Sequence, residues 1–221
     1  MDTAMLNRQT KLKIAISDDS PFITESIRHI LSKDLADMSV EVYPSQSQVL
    51  LEKLQSEPVD LLITDFNLTF DNSLGGIKKI QAICRRAPGV RVILLTSQQT
   101  VAILMDVLKQ PIRAIVSKSD ERSELIRALH LASSTHSGVY LSEKIRGLVG
   151  QKHMHTEKEV LTCSELEVIR LFAMGYSLTE IAQNRKRSVS TVATQKYNAM
   201  RKLLLSSNTD LIKYVYSQNM L

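Results

Sequence analysis

The chain has 221 residues, room for one large domain or two small ones, and its apolar share of 43% is that of a packed core rather than a disordered segment. The formal charge is +5 with a sequence pI near 9.2, a modest excess whose position matters more than its size. Cys84 and Cys163 form no CxxC, no apolar run approaches a membrane span, and residues 1–13 carry no signal-peptide core. Disulfide scaffolds and membrane spans are thereby excluded, and a soluble, cytoplasmic protein with free thiols is expected.

Residues 1–10 are polar and read as a loose N-terminus. Leu12 to Ser17 is a first strand, followed by Asp18, Asp19, Ser20 and Pro21. Pro21 suits the first position of a helix with Ser20 as its cap. Phe22, Ile23, Ile27, Ile30 and Leu31 then recur at helical spacing. Val40 to Tyr43 is a second strand, and Val49, Leu50, Leu51 and Leu54 mark a second helix closed by Pro58. Val59, Leu61, Leu62 and Ile63 form a short apolar run ending in Asp65, which reads as a strand buried on both faces. A polar loop from Asn67 to Gly76 leads into a helix carrying Ile77, Ile80 and Ile83, and Pro88-Gly89 ends it. Val92 to Thr96, a helix from Val101 to Lys109, Ala114 to Lys118 and a helix from Asp120 to Ser133 complete the series.

Strands alternating with helices in this way predict a doubly wound, five-stranded parallel α/β sheet over residues 11–133. Right-handed crossovers then bring every carboxyl end to one edge. That edge collects Asp18, Asp19, Asp65, Thr96 and Lys118. For Asp65 alone, a loop-capping carboxylate is the simpler account. Four polar strand ends on one rim are not what core packing produces. Three carboxylates brought together repel one another unless a cation sits among them. Mg²⁺ suits the role, since it takes oxygen ligands, keeps several waters and needs only one or two carboxylates. Asp65 is also the candidate nucleophile, because carboxylates form aspartyl phosphates. Lys118 and the Thr96 hydroxyl would then meet phosphoryl oxygens. No GxxxxGK[ST] is present to bind a nucleotide.

Residues 134–156 are rich in Ser, His, Gly and Lys and read as a linker with a short helical patch around Leu141 to Val149. His153 and His155 are two residues apart and share no helix face, so a solvated linker accounts for them better than a metal site. Residues 157–221 read as a second domain, and from Thr162 its pattern is wholly helical. Leu166, Ile169 and Phe172 face one way, Gly175 stops the helix, and Ser177 caps the next, Leu178 to Asn184. Ser188 or Ser190 caps a longer helix to about Leu205, with Val192, Ala199 and Leu203 inward, and Leu211, Ile212 and Val215 mark a last one. Two helices joined by a short polar turn in an all-α unit outline a helix-turn-helix. Between Ile181 and Thr209 there is no acidic residue, while Arg185, Lys186, Arg187, Lys196, Arg201 and Lys202 are basic. Solvated helix faces usually mix signs, and a one-sign stripe beside Ser and Thr suits nucleic-acid phosphates. Thr194 and Tyr197 are assigned to base edges, and Lys196, Arg201 and Lys202 to phosphates.

Residues 11–133, with Asp18-Asp19, Asp65, Thr96 and Lys118 in order on successive strand ends, resemble the receiver domain of bacterial two-component response regulators. The resemblance implies phosphorylation at Asp65 by a sensor histidine kinase or phosphotransfer protein. It also implies Mg²⁺ held by Asp18, Asp19, Asp65 and the backbone carbonyl of Asn67. Ile115 stands where receivers often carry an aromatic, Ser119 where a Pro often follows the Lys, and the loop after Asp65 is longer than usual. Leu161 to Glu165, Glu167 to Ile169, Gly175 to Ser177, Glu180 to Ala182, Thr191-Val192 and Lys202-Leu203 resemble the LuxR-type DNA-binding domain, which implies a DNA contact that includes Thr191. Ala193 and Gln195 replace a more usual Lys and His, and Thr191 to Leu203 is similar to the Rcs-type subgroup, as is the longer loop.

The function expected is a phosphorylation-controlled transcription regulator that binds double-stranded DNA as a homodimer. Within the class, the alternative is an auxiliary regulator that acts unphosphorylated, as a heterodimer with a related chain. From another class, the alternative is a Mg²⁺-dependent phosphohydrolase using Asp65. Such enzymes commonly carry a second acid two residues on, where this chain has Asn67.

Overall fold

The computed structural model of the chain describes residues 11–34, 38–66, 75–134, 138–150 and 160–221. Among these residues, six strands lie in one sheet, β1 (Leu12–Ser17), β2 (Met38–Val42), β3 (Leu61–Asp65), β4 (Arg91–Thr96), β5 (Ala114–Ser117) and β6 (Tyr140–Leu141). All pairings are parallel, in the order β2-β1-β3-β4-β5-β6. The helices between them are α1 (Pro21–Asp34), α2 (Ser47–Ser56), α3 (Gly76–Arg86), α4 (Val101–Val107) and α5 (Arg122–Ser133).

Side chains alternate across a strand, so a sheet covered on both faces has two cores. Ile14, Ile16, Leu61, Ile63 and Ile93 pack with Ile27 and Leu31 of α1 and Leu125 and Leu129 of α5. Ala15, Leu62, Leu94 and Ile115 pack with Leu50 of α2, Ile80 of α3 and Ile103 of α4 on the other face. The expected sheet is present, with one strand more than expected. Tyr140 and Leu141 pair with Ala114 and Ile115, and α6 (Glu143–Gly150) follows, with Ile145 and Val149 buried. Residues 138–150, expected within the linker, therefore pack against the receiver sheet. A two-residue strand has no periodicity of its own to betray it.

Among the described residues, four helices form the second body: α7 (Cys163–Ala173), α8 (Leu178–Asn184), α9 (Val189–Lys202) and α10 (Asn208–Ser217). Val168, Ile181, Ala182 and Val192 make its small core, and Ala199 and Leu203 face inward as expected. Gly175, at φ +98°, makes the turn after α7 that a residue without Cβ makes most easily. Cys84 and Cys163 are unpaired thiols. No described helix is long and apolar enough to cross a membrane.

The two bodies meet where α10 lies against α3 and α4. Tyr214, Leu211 and Val215 join the same apolar cluster as Ile103 and Val107. Thr100 donates to Asp210 Oδ1 at 3.1 Å, and Gln218 Nε2 donates to Asp106 Oδ2 at 3.0 Å. Burial, then the neighbouring Asp106 carboxylate, pushes the Tyr214 phenol well above its usual range. The phenol therefore stays protonated, with its oxygen 3.5 Å from Asp106 Oδ2.

Candidate functional site

The strand registers bring the polar ends into line. Ser17 lies beside Thr64, Asp65 beside Leu95, and Thr96 beside Ser117. One carboxylate oxygen each from Asp18, Asp19 and Asp65 falls within 4.8 Å of the others. Asp18 and Asp65 form a buried floor and Asp19 an exposed lip. Burial raises the pKa of Asp19, the charges of Asp65 and Asp18 raise it further, and Lys118 opposes them. Lys118 Nζ stands 2.6 Å from Asp18 Oδ2, a charge contact rather than a directed hydrogen bond. Its backbone N–H donates to the Thr96 carbonyl at 2.8 Å, which ties β5 to β4 at the rim. Thr96 is buried, and its hydroxyl oxygen accepts the Gln98 N–H at 2.9 Å. The hydroxyl proton remains to be donated elsewhere.

One further charge lies in this site. Lys79 of α3 places Nζ 2.8 Å from Asp65 Oδ1 and 3.5 Å from the Asp65 carbonyl oxygen. It is 2% exposed, the largest fully buried side chain described. The helical spacing of Ile77, Ile80 and Ile83 places α3 without singling out Lys79. On a helical wheel it falls between Ala82 and Ile83, both buried, and that was the signal available.

The residues fit Mg²⁺. They offer hard oxygen donors at suitable spacing, and Asp18 Oδ2 is buried with no hydrogen-bond donor aligned to it. The Asn67 carbonyl lies outside the described residues.

In the second body, each helix of the expected helix-turn-helix begins on a side-chain cap. Thr162 with Glu165, and Ser177 with Glu180, form reciprocal capping boxes. Ser188, the first of the two expected candidates, caps α9 by accepting the Thr191 N–H. Lys186 adopts a left-handed conformation, φ 51°, and carries the turn between α8 and α9. Thr191, Thr194, Tyr197 and Arg201 are exposed on α9, with Tyr197 at 68%. Ser190, Thr194, Tyr197 and Arg201 follow helical spacing and form one outer stripe.

The basic residues divide. Lys202 Nζ turns inward to Glu165 Oε2 at 2.8 Å and to the Val160 carbonyl at 3.3 Å. Lys202, expected at a phosphate, is here paired within the protein, and its ammonium joins α9 to the start of α7. Arg185 is likewise turned inward, to Glu167 at 2.8 Å and the Ser164 carbonyl at 3.1 Å. Lys196 lies over the Phe172 ring, 3.8 Å from its centroid, and burial lowers its pKa. Its charge sits on the flank of α9 rather than on the outer stripe.

Two family models match the chain. The response regulator receiver domain covers residues 14–130, and the bacterial regulatory proteins of the luxR family cover 159–215. The transcriptional regulatory protein RcsB of Salmonella typhi is 34% identical over 212 residues, 93% of this chain and 94% of that protein. RcsB of Escherichia coli K12 is 33% identical over the same shares. Among solved structures, RcsB of Salmonella enterica serovar Typhimurium, bound to promoter P1flhDC in the presence of phosphomimetic BeF3-, superposes with a TM-score of 0.84. The sequence identity there is 31%, over 94% of this chain and 99% of that one.

Proposed function

The chain belongs to the response regulators that join a receiver to a LuxR-type DNA-binding domain, and from that premise we propose that phosphorylation of Asp65 controls its binding to promoter DNA as a dimer. The observation that carries the reading is the rim itself. Three carboxylates, Thr96 and Lys118 converge at the carboxyl ends of four neighbouring strands.

The donor is a sensor histidine kinase or a phosphotransfer protein carrying a phosphohistidine. An Asp65 carboxylate oxygen attacks phosphorus in line, an O–P bond forms, and the P–N bond to the donor imidazole breaks with its electron pair leaving on nitrogen. Asp18, Asp19 and Asp65, with the Asn67 carbonyl, would hold Mg²⁺. When bound it supplies charge neutralisation at the phosphoryl oxygens. Lys118 contributes the same from the protein, and the Thr96 hydroxyl donates its proton to a phosphoryl oxygen. On α9, Thr194 and Tyr197 would meet base edges, and Arg201, with Thr191 and Lys196 at the margins, would meet phosphates.

Genome-wide footprinting with and without a small phosphoryl donor tests the proposal. Occupancy of a defined set of promoters should rise with the donor for wild type and stay at the basal level for Asp65→Asn. Equal occupancy under all conditions would instead mark a regulator that works unphosphorylated.

A further inference from the structure

Lysine is seldom found fully buried without a partner, because its ammonium loses its hydration. Lys79 is buried, and its directed partner is the side chain on which the proposed phosphoryl chemistry turns. Lys118, which the receiver resemblance would place near the phosphoryl group, is engaged with Asp18. Asp65 is therefore held by a lysine from α3, beneath the sheet edge, and not by the lysine of the rim. A phosphorylated aspartate needs one carboxylate oxygen for phosphorus and the other for the metal. Here Oδ1 already carries an ammonium.

Charge decides what that means. Three carboxylates opposed by Lys118 alone leave two negative charges in excess, which one divalent cation neutralises. Lys79 reduces the excess to one, and it does so on Asp65, the ligand of the metal that Lys118, paired with Asp18, leaves to it. Two cations that share one carboxylate repel each other, more strongly in a partly dry site than in water.

We propose that Lys79 is a resident counter-cation of the acceptor site, competing with Mg²⁺ for Asp65 and holding the acid cluster together in its absence. Metal-free, the cluster keeps its buried carboxylates close without a divalent ion. Metal binding at Asp65 then weakens the hold of the ammonium on that carboxylate. The inference rests on the reading of Asp18, Asp19 and Asp65 as the metal site.

The test is calorimetric titration of MgCl₂ into the full chain as wild type, Lys79→Gln, Lys79→Met and Asp19→Asn, with folding checked by circular dichroism. Lys79→Gln keeps a hydrogen-bond donor for Asp65 while removing the charge. Both Lys79 variants should bind Mg²⁺ about tenfold or more tightly than wild type, and Mg²⁺ should raise their melting temperature by a larger increment. Asp19→Asn should bind weakly or not at all. Equal dissociation constants in wild type and the Lys79 variants, with binding lost in Asp19→Asn, overturn the role of Lys79 and leave the metal site standing. Binding that is indifferent to Asp19→Asn overturns the metal site, and the competition with it. Should the variants fail to fold, the isotope-labelled ammonium signal of Lys79 in wild type is followed by NMR. It should move as Mg²⁺ saturates, and a stationary signal during saturation overturns the proposal.

Discussion

At the scale of single residues, the basic stretch of α9 holds two kinds of charge that look alike in the sequence. Lys202 and Arg201 are neighbours, yet one is tied to Glu165 and the other stands on the outer face. Their substitutions should part company. Each Lys or Arg that meets a phosphate releases counterions, so log affinity falls with log salt by about −0.9 per contact. Arg201→Ala should weaken binding to all DNA and flatten that slope by about one per subunit. Lys202→Ala should leave the slope alone and lower the stability of the second body, by about 1–2 kcal/mol, because it strands a carboxylate that the capping box buries. DNA titrations over a salt series, run beside thermal melts, separate the two outcomes. Tyr197→Ala should alter which sites are preferred while the melting temperature stays put, and selection from a random pool reads that directly. The absence of acids from residues 181–209 was visible in the sequence. Which bases turn inward was not, because Glu165 lies 37 residues from Lys202 and no local pattern relates them.

At the scale of elements, β6 and α6 were hidden for a different reason. Their stability comes from what they touch rather than from propensity or period. Glu124 of α5 is the junction: its carboxylate accepts Tyr140 Oη at 2.8 Å, the Glu143 N–H at 2.8 Å and Arg127 Nη1 at 2.6 Å. Burial alone would raise the pKa of Glu124, but these hydrogen bonds and the Arg127 charge outweigh it and hold the pKa below the usual range. A carboxyl with a depressed folded pKa contributes stability that is complete above the ordinary carboxylate range and is lost as pH falls through the folded value. Acid should therefore loosen the β6–α6 segment first. Hydrogen exchange on residues 138–150 should quicken as pH falls through that window, after correction for the intrinsic rate, and Glu124→Gln should remove the pH dependence. Ile145→Ala should cost the receiver about 2–5 kcal/mol, since the side chain is buried to 1% exposure against the sheet. A solvated linker would lose almost nothing, so a denaturant melt of that variant decides between the two descriptions. The rest of the receiver was legible because strands buried on both faces announce themselves as apolar runs ending in polar residues. Lys79 escaped because a lysine on an amphipathic helix is read as its wet side until the wheel is drawn.

At the scale of the whole molecule, a run of hydrogen bonds joins the acceptor rim to the DNA-binding body. Thr96 Oγ1 accepts the Gln98 N–H, Gln98 Oε1 accepts the Thr100 N–H, and Thr100 Oγ1 donates to Asp210 of α10, each at 2.9–3.1 Å. Asp106 of α4 receives Gln218, and Gly76, at φ +56°, lies so close that a Cβ there would meet the Ser217 carbonyl oxygen at 2.8 Å. None of this was legible, because it depends on how two units far apart in the chain pack together. A phosphoryl group can bias that docking only through contacts it makes better in one arrangement. Drawing the Thr96 hydroxyl toward phosphate alters the first link of the run, and α4 and α10 share the remaining ones. The coupling should be of ordinary size, on the order of 1–3 kcal/mol between phosphorylation and operator affinity. Thr100→Val keeps the shape of the side chain and removes its donor. Gly76→Ala pushes α10 away from α3 and strains the start of that helix. Both variants should accept phosphate at Asp65 as wild type does, yet show a ratio of phosphorylated to unphosphorylated affinity closer to one. Reciprocity demands that operator DNA then shift the equilibrium toward the phosphorylated form less in these variants than in wild type. If the ratio survives in both, the signal leaves the receiver by another face, and pairing between two receivers becomes the element that phosphorylation biases.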